Sequence, residues 1–343
     1  MDSNYIESYN DLQVHQLMLL DTPRNQAYRQ AILDNKDFIK GKIILDVGCG
    51  TGILSIYCAQ AGAAKVYAVE ASSIYEVAKS IVKENKFENV IEVIHSKIED
   101  VTLPSKVDAI VSEWMGFYLF HEGMLNSVLV AREKFLKPEG LMFPESATLF
   151  AAPISVPSYF EKWSELDGIS MNTFGEKIRN EASKKPVIST VEADCLLSDP
   201  EIVTWIDLKQ VTQEELKSIE AEHLVVCNKS GKYQGICLWF SCTFPSQDTE
   251  PITLSTSPED SETHWKQTTI VLPTEIEVET GAPVAFKLSM KASEDSYRKY
   301  NLEVTMQDPN EIQHPEYCPC YMTKCIVVRA MLDKYEKGDL ESA

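Results

Sequence analysis

The chain has 343 residues, 44% of them hydrophobic, and a formal net charge of -20 at pH 7. That length and composition allow two domains with real cores and exclude global disorder. The acidity excludes a basic nucleic-acid surface as the main function; it either attracts Arg- and Lys-rich partners or serves solubility alone.

Residues 1–35 read as two short helices split at Pro23. Asp21 or Thr22 is the candidate cap, with Pro23 in the first turn, where its missing N–H is harmless. From Lys42 the pattern changes. "KIILDVG" is an apolar strand ending in a glycine-rich turn, and "ILSIYCAQAG" is a helix stopped at Gly62. "KVYAVE" is a strand, "SSIYEVAKSIVKEN" a helix opened by serine caps, and "VIEVIHSK" and "VDAIVSEW" are strands. "GMLNSVLVAREKFL" is a helix stopped by Pro138 and Gly140. Strands alternating with helices predict a doubly wound parallel sheet. Past a boundary near Pro144, runs such as "GICLWFSCTF" and "VAFKLSM" separated by turn residues predict an antiparallel barrel or sandwich. Between the two, "SYFEKWSEL" carries apolar residues at helical spacing, for burial in its own domain or for a partner.

Nine cysteines are scattered along the chain, no apolar leader opens it, and no apolar run of membrane-spanning length occurs. Reduced thiols and a cytoplasmic or nuclear location are expected, with no membrane partner. Cys318, Cys320 and Cys325 near His314 raise the question of zinc. Their spacing fits no strong zinc pattern, so the expectation is a cysteine-bearing strand and no metal.

Two stretches carry chemistry. In "ILDVGCGTGIL", Gly48, Gly50 and Gly52 allow a tight turn and close ligand approach at a helix N-terminus. Glu70, at the end of the next strand, suits two ribose hydroxyls. The pattern is G-x-G-x-G, not the G-x-G-x-x-G of dinucleotide binders. With Asp46 ahead of it, it resembles the loop of S-adenosylmethionine (SAM) methyltransferases. In "EWMGFYLFHE", Glu113 and Glu122 flank four aromatic residues at the mouth of a strand. Carboxylates in an apolar setting call for a cation.

Five motifs in order resemble the type I protein arginine N-methyltransferases over nearly the whole chain: "YIESY", "ILDVGCGTGIL", "VEASS", "SEWMGFYLFHE" and the Thr-His-Trp loop at 263–265. The resemblance implies cofactor-covering helices over 1–35, a Rossmann-type SAM domain over 36–146, and an antiparallel β-barrel substrate domain over 147–343. A helical dimerisation arm would lie near 157–185, making the protein a homodimer. It further implies that Glu113 and Glu122 hold the substrate guanidinium, with an Asp21–His264 pair beside them. Asp21 as a plain helix cap, and His264 as a purely structural residue, stay open. His15, Met18, Arg24, Asp46, Gly48, Gly50, Glu70, Ile98 and Glu99 would bind SAM, which leaves as S-adenosylhomocysteine. Tyr9, Trp114, Met115, Met124 and Trp265 would contact the substrate arginine. A methionine at position 18 goes with asymmetric dimethylation of histone-like or Arg/Gly-rich proteins, with no direct nucleic-acid contact. Ile6 and Phe117 depart from the family's usual phenylalanine and tyrosine, and the arm is short; a catalytically weak, SAM-binding dimeric adaptor is the alternative.

Overall fold

The computed structural model describes residues 2–246, 250–294 and 296–336; residues 1 and 337–343 of the expected first and last segments lie outside the described residues. The chain opens with α1 (Asp2–Ser8), α2 (Leu12–Leu20), α3 (Thr22–Asp34) and α4 (Lys36–Ile39). Three helices, not two, precede residue 35, because Asp11 starts an extra one: its side chain accepts the Gln13 N–H at 2.9 Å. Asp21, rather than Thr22, caps α3 by accepting the Arg24 N–H, with Pro23 in the first turn.

Next come β1 (Ile43–Val47), α5 (Ile53–Gln60), β2 (Lys65–Glu70), α6 (Tyr75–Glu84), β3 (Ile91–His95), β4 (Val107–Val111), α7 (Met124–Phe135) and β5 (Leu136–Phe143). Their five strands form one parallel sheet in the order β3-β2-β1-β4-β5. Strands β1 and β2 are buried along nearly their whole length, as helices on both faces require. Two details differ from expectation. Ser72 and Ser73 do not cap α6: the Ser72 N–H goes to Glu70, and Ser73 donates N–H and O–H to Asn10 Oδ1. Pro138 and Gly140 lie inside a strand, since α7 already ends at Phe135 and the chain runs straight into β5 beside β4.

After a cis Phe143–Pro144 peptide the antiparallel region begins. It comprises β6 (Ser146–Ile154), α8 (Pro157–Phe160), α9 (Asn172–Ala182), β7 (Val187–Ser189), β8 (Glu201–Asp207), β9 (Ser218–Val226), β10 (Gly231–Thr243), β11 (Thr253–Ser255), β12 (Gln267–Val278), β13 (Pro283–Ser293) and β14 (Ser296–Gln307), then α10 (Thr323–Glu336). The strands make two sheets, β7-β12-β10-β6-β8 with β11 on β10, and β14-β13-β9. The fold class is thus α/β followed by antiparallel β. Among the described residues the two sheets do not join into one hydrogen-bonded ring. One buried apolar cluster joins the parallel sheet to the β region, with Leu45 and Ile110 on one side and Phe240 and Phe286 on the other.

Helices α8 and α9 bracket a short excursion off the β region. Leu166, Ile169 and Phe174 stand exposed on it, and Trp163 packs edge-on to Phe174. Among the described residues no helix is long and apolar enough to cross a membrane, and all nine cysteines are free. The expected cysteine-bearing strand is absent. Residues 308–322 form turns, and Cys318, Cys320 and Cys325 converge beside His314, against the expectation of a segment without ligand geometry.

Candidate active site

In the order β3-β2-β1-β4-β5, the sense of strand addition reverses between the parallel neighbours β1 and β4, and ligand crevices open at the carboxyl ends of strands at such a point. A cleft of about 1030 Å³, its open mouth included, lies there. Gly48, Gly50, Glu70, Ile98, Glu99 and Glu113 border it from the sheet side; Tyr9, His15, Met18 and Arg24 cover it from the N-terminal helices. Met124 also borders it. Gly48 has φ +71°, and a Cβ there would stand 2.7 Å from the Met124 terminal methyl. The Gly50 N–H, on a left-handed residue, points at Glu70 Oε2 at 2.9 Å. The other Glu70 oxygen accepts the Ser72 N–H at 2.8 Å. Each carboxylate oxygen has a second lone pair, so the carboxylate is held rigidly with acceptor capacity left for a diol.

Asp46 is fully buried just behind this wall and does not border the cleft. Its Oδ2 accepts the Ser55 hydroxyl at 2.6 Å, while Oδ1 is buried with no partner. Burial, only partly offset by the Ser55 bond, pushes the Asp46 carboxyl up to about 7. Glu99 Oε1 accepts the Ser127 hydroxyl at 2.7 Å beside Ile98.

The two glutamates that follow β4 are placed differently: Glu113 borders the cleft, whereas Glu122 does not and meets it only through Tyr9. Glu113 is almost buried and pairs with Arg24 Nε at 3.1 Å. Arg24 also donates Nη1–H to Asn25 Oδ1 at 2.7 Å. Glu122 sits in a turn of left-handed residues, with φ +41° at Tyr118, +69° at Leu119 and +72° at Glu122 itself. Such backbone costs about 1–3 kcal/mol per residue and persists where surroundings over-determine it. Here Tyr9 Oη–H donates to Glu122 Oε2 at 2.6 Å, and Arg298 donates Nη1–H to the Glu122 carbonyl at 2.9 Å. Burial first, then the neighbouring Tyr5 and Glu122, raise the Tyr9 hydroxyl well above its ordinary range, so it stays a donor.

Asp21 does both things the sequence left open. One oxygen caps α3; the other accepts the His264 backbone N–H at 2.8 Å and Nδ1–H at 2.6 Å. Burial raises the Asp21 carboxyl, but the hydrogen bonds from His264 and Arg24 outweigh it and hold the group below the usual carboxylate range. Neither Asp21 nor His264 borders the cleft.

Trp114, Met115 and Trp265, expected as substrate contacts, do not border it either; they are core residues, at most 5% exposed. Burying such side chains gains about 1.5–3 kcal/mol each, more than a solvent-facing position offers. They brace the glutamate loop from behind: Trp265 Nε1–H donates to the Met115 carbonyl at 2.8 Å, and the buried Tyr28 hydroxyl donates to the Ser112 carbonyl at 2.9 Å. Sequence reasoning missed Arg298, Tyr5 and Ser127, all at the cleft. Arg298 lies over the Tyr5 ring at 4.0 Å and sits on β14 in no motif, so no local signal marks it.

Comparison with known proteins agrees with this geometry. A methyltransferase domain model matches residues 44–140, and the arginine methyltransferase oligomerization subdomain matches residues 145–308. Protein arginine N-methyltransferase 6 of Danio rerio is 43% identical over 310 residues, covering 88% of each chain. Its Xenopus tropicalis counterpart is 42% identical over 303 residues, covering 85% of this chain and 88% of that one. Among solved structures, the Trypanosoma brucei PRMT1 enzyme-prozyme heterotetrameric complex with AdoHcy aligns with TM-score 0.80 at 32% identity, over 90% of this chain and 98% of that one. The Arabidopsis thaliana protein arginine methyltransferase 10 structure aligns with TM-score 0.78 at 32% identity, over 88% and 94%. The chain belongs to the protein arginine N-methyltransferase family, the SAM-dependent enzymes that methylate protein arginine.

Proposed function

We propose that this chain is a type I enzyme, forming mono- and asymmetric dimethylarginine on Arg/Gly-rich or histone-like proteins, and that it works as a homodimer in the cytoplasm, the nucleus or both. SAM supplies an electrophilic methyl group when bound. The observation that carries the reading is a pair of fixed carboxylates: Glu113 borders the cleft and is held by Arg24, and Glu122, outside the lining, is held by the hydroxyl of the cleft residue Tyr9.

Both reactants are cations, and at about 4 Å with an effective dielectric near 20 they repel by roughly 4 kcal/mol. Glu113 and Glu122 offset that repulsion and hold the guanidinium through charge-assisted hydrogen bonds. Positioning and fixed charge then supply most of the acceleration. Glu70 holds the ribose hydroxyls, and Asp46, buried behind the wall, shapes the methionine end of the pocket from there. Gly48 and Gly50 let the backbone come close. Ile98 and Glu99 flank the adenine, while His15 and Met18 close over the cofactor. Arg24 has five N–H donors, so it can keep Glu113 on Nε and still offer the cofactor carboxylate another N–H. Met124 and Tyr9 face the substrate arginine. Asp21 and His264, set back from the cleft, act by position: Asp21 holds the N–H of Arg24, which in turn holds Glu113.

The strongly acidic chain favours basic substrate segments. The exposed Leu166, Ile169 and Phe174 support a dimer contact through the 157–185 excursion. The test is methyl transfer from labelled SAM to an Arg/Gly-rich peptide and to histone tails, beside Glu113→Gln, with products resolved by mass spectrometry. Asymmetric dimethylarginine that disappears in the variant is the expected result. SAM binding without transfer to any arginine substrate would move the chain to the adaptor reading, and symmetric product would overturn the type I assignment.

A further inference from the structure

The C-terminal turns hold a cluster that the methyl-transfer site does not use. Nδ1 of His314 stands 3.4 Å from Cys318 Sγ, 3.5 Å from Cys320 Sγ and 3.1 Å from Cys325 Sγ, and all four atoms lie within 4.8 Å of one another. The three cysteines are buried. A single imidazole lone pair accepts one S–H in good geometry, so three thiols around one nitrogen are not explained by hydrogen bonding. A tetrahedral zinc centre explains them: with Zn–S near 2.3 Å and Zn–N near 2.05 Å, nitrogen and sulfur stand about 3.6 Å apart.

The surroundings agree. His314 Nε2 lies 2.8 Å from the Pro309 carbonyl. A carbonyl only accepts, so Nε2 carries the hydrogen and Nδ1 presents its lone pair to the thiols, as metal-bound histidines are commonly arranged. Arg329 Nη1–H donates to the carbonyls of Cys318 and Cys320, which sets a guanidinium beside what would be a net negative centre of three thiolates and one divalent cation. Lys324 Nζ ties the carbonyls of Pro309 and Asn310 at 3.2 Å each.

We propose that His314, Cys318, Cys320 and Cys325 form a structural zinc site. The sequence pattern is H-x3-C-x-C-x4-C, with two ligands separated by a single residue, which is why spacing alone did not reveal it. Four protein ligands close the coordination shell and leave no position for substrate, so the ion shapes the fold and takes no part in methyl transfer. Its role follows from what it joins. Cys325 lies in the first turn of α10, the cysteines pack on Leu224 and Val226 of β9, and the Tyr321 N–H donates to the Gly281 carbonyl ahead of β13. The ion would pin α10 and the 308–322 turns to the sheet β14-β13-β9.

The test uses the full chain, expressed with zinc in the medium and passed over a weak chelator. Zinc per chain is measured by elemental mass spectrometry for the wild type, Cys320→Ser, His314→Ala and the distant control Cys195→Ser. One equivalent is expected in wild type and control, with loss in the other two and a lower Tm. Cobalt(II) added to the stripped wild type gives thiolate charge-transfer absorption, which decides the matter even where Cys320→Ser does not fold. A wild-type chain with only trace zinc and no cobalt–thiolate band would overturn the site. So would a disulfide among the three cysteines in the freshly purified chain, or zinc retained at full stoichiometry by both ligand variants.

Discussion

Replacing Tyr9 by phenylalanine removes one hydroxyl and tests whether Glu122 is held for catalysis. The ring's neighbours do not depend on that oxygen. Tyr5 packs edge-on at 5.1 Å and His15 at 6.1 Å, and the His15 Nε2 contact is to the Tyr9 backbone carbonyl. The turn around Glu122 keeps its anchor through Arg298. What is lost is a 2.6 Å hydrogen bond to a carboxylate in a part-buried site, worth about 1.5–3 kcal/mol. If that energy fixes Glu122 where it binds the guanidinium, kcat/KM for an arginine peptide falls about 10- to 150-fold. S-adenosylhomocysteine affinity by calorimetry should stay close to wild type. The loss should be constant across neutral pH, because the hydroxyl, raised well above its ordinary range, is a donor throughout. A variant with wild-type kcat/KM would refute the reasoning and leave Glu122 positioned by its backbone alone. Equal losses in cofactor affinity and turnover would show instead that Tyr9 serves as a lid.

Four further outcomes are expected. Gly48→Ala forces a non-glycine residue to φ +71° and pushes the Met124 terminal methyl from a 2.7 Å contact; the methyl can move, so the backbone term of about 1–2 kcal/mol dominates and cofactor affinity drops roughly tenfold or more by calorimetry. Asp21→Asn keeps the cap, since asparagine caps as well as aspartate, but makes the bonds from His264 neutral, which should cost about 1–2 kcal/mol in denaturant unfolding. Because the folded Asp21 carboxyl lies below its ordinary 3.8, its contribution is present above that pH and is lost as pH falls through the folded value, so the variant should show a shallower loss in acid. Asp46 has the opposite sign: its folded value of about 7 lies above the ordinary 3.8, so the folded chain keeps a proton the unfolded chain has released. Its stabilising share shrinks as pH rises through that window, and Asp46→Asn should flatten Tm against pH there. Ile169→Asp with Phe174→Asp should turn the dimer into monomer in light scattering without unfolding it, since both side chains are exposed in the single chain.

How much was legible in the sequence depended on whether each interaction was local. "ILDVGCGTGIL" announced a strand, a left-handed turn and a helix because all its determinants lie within eleven residues. Glu70 could be read by its offset from Gly50, and the Gly50 N–H does reach it. The double-glutamate stretch announced a cation site, yet not its geometry: the hydroxyl that holds Glu122 is 113 residues away, and the Arg298 guanidinium is 176 away. Aromatic and sulfur-bearing residues in that stretch read as substrate contacts, but Trp114 and Met115 fill the core behind it, because apolar area is indifferent to which side of a loop it covers. Pro138 read as a helix stop, yet the chain had already left the helix and was pairing as an edge strand, where a missing N–H is tolerated.

The long separations also say what kind of device the site is. Three parts of the chain meet there: the N-terminal helices, the loop after β4, and the β region. Arg24 joins the first to the second through Glu113, 89 residues on; Asp21 joins the first to the third through His264, 243 residues on. The parallel sheet alone therefore presents the ribose and adenine positions but not an oriented carboxylate pair. Both glutamates take their side-chain partner from the N-terminal helices, which also cover the cofactor cleft. Helix α3 is anchored in the core through Tyr28, Ala31 and Ile32, whereas residues 5–20 are, His15 apart, half-buried or exposed and reach the sheet domain through Asn10 to Ser73. Few tethers mean low local stability, which is the property a cover needs if cofactor is to enter. Opening that leading segment releases Glu122 from Tyr9 and closing it restores the bond, while Glu113 keeps Arg24 on the anchored α3. On the proposed roles, Glu122 is thereby set for the guanidinium only when the leading segment covers the cleft, with no separate switch.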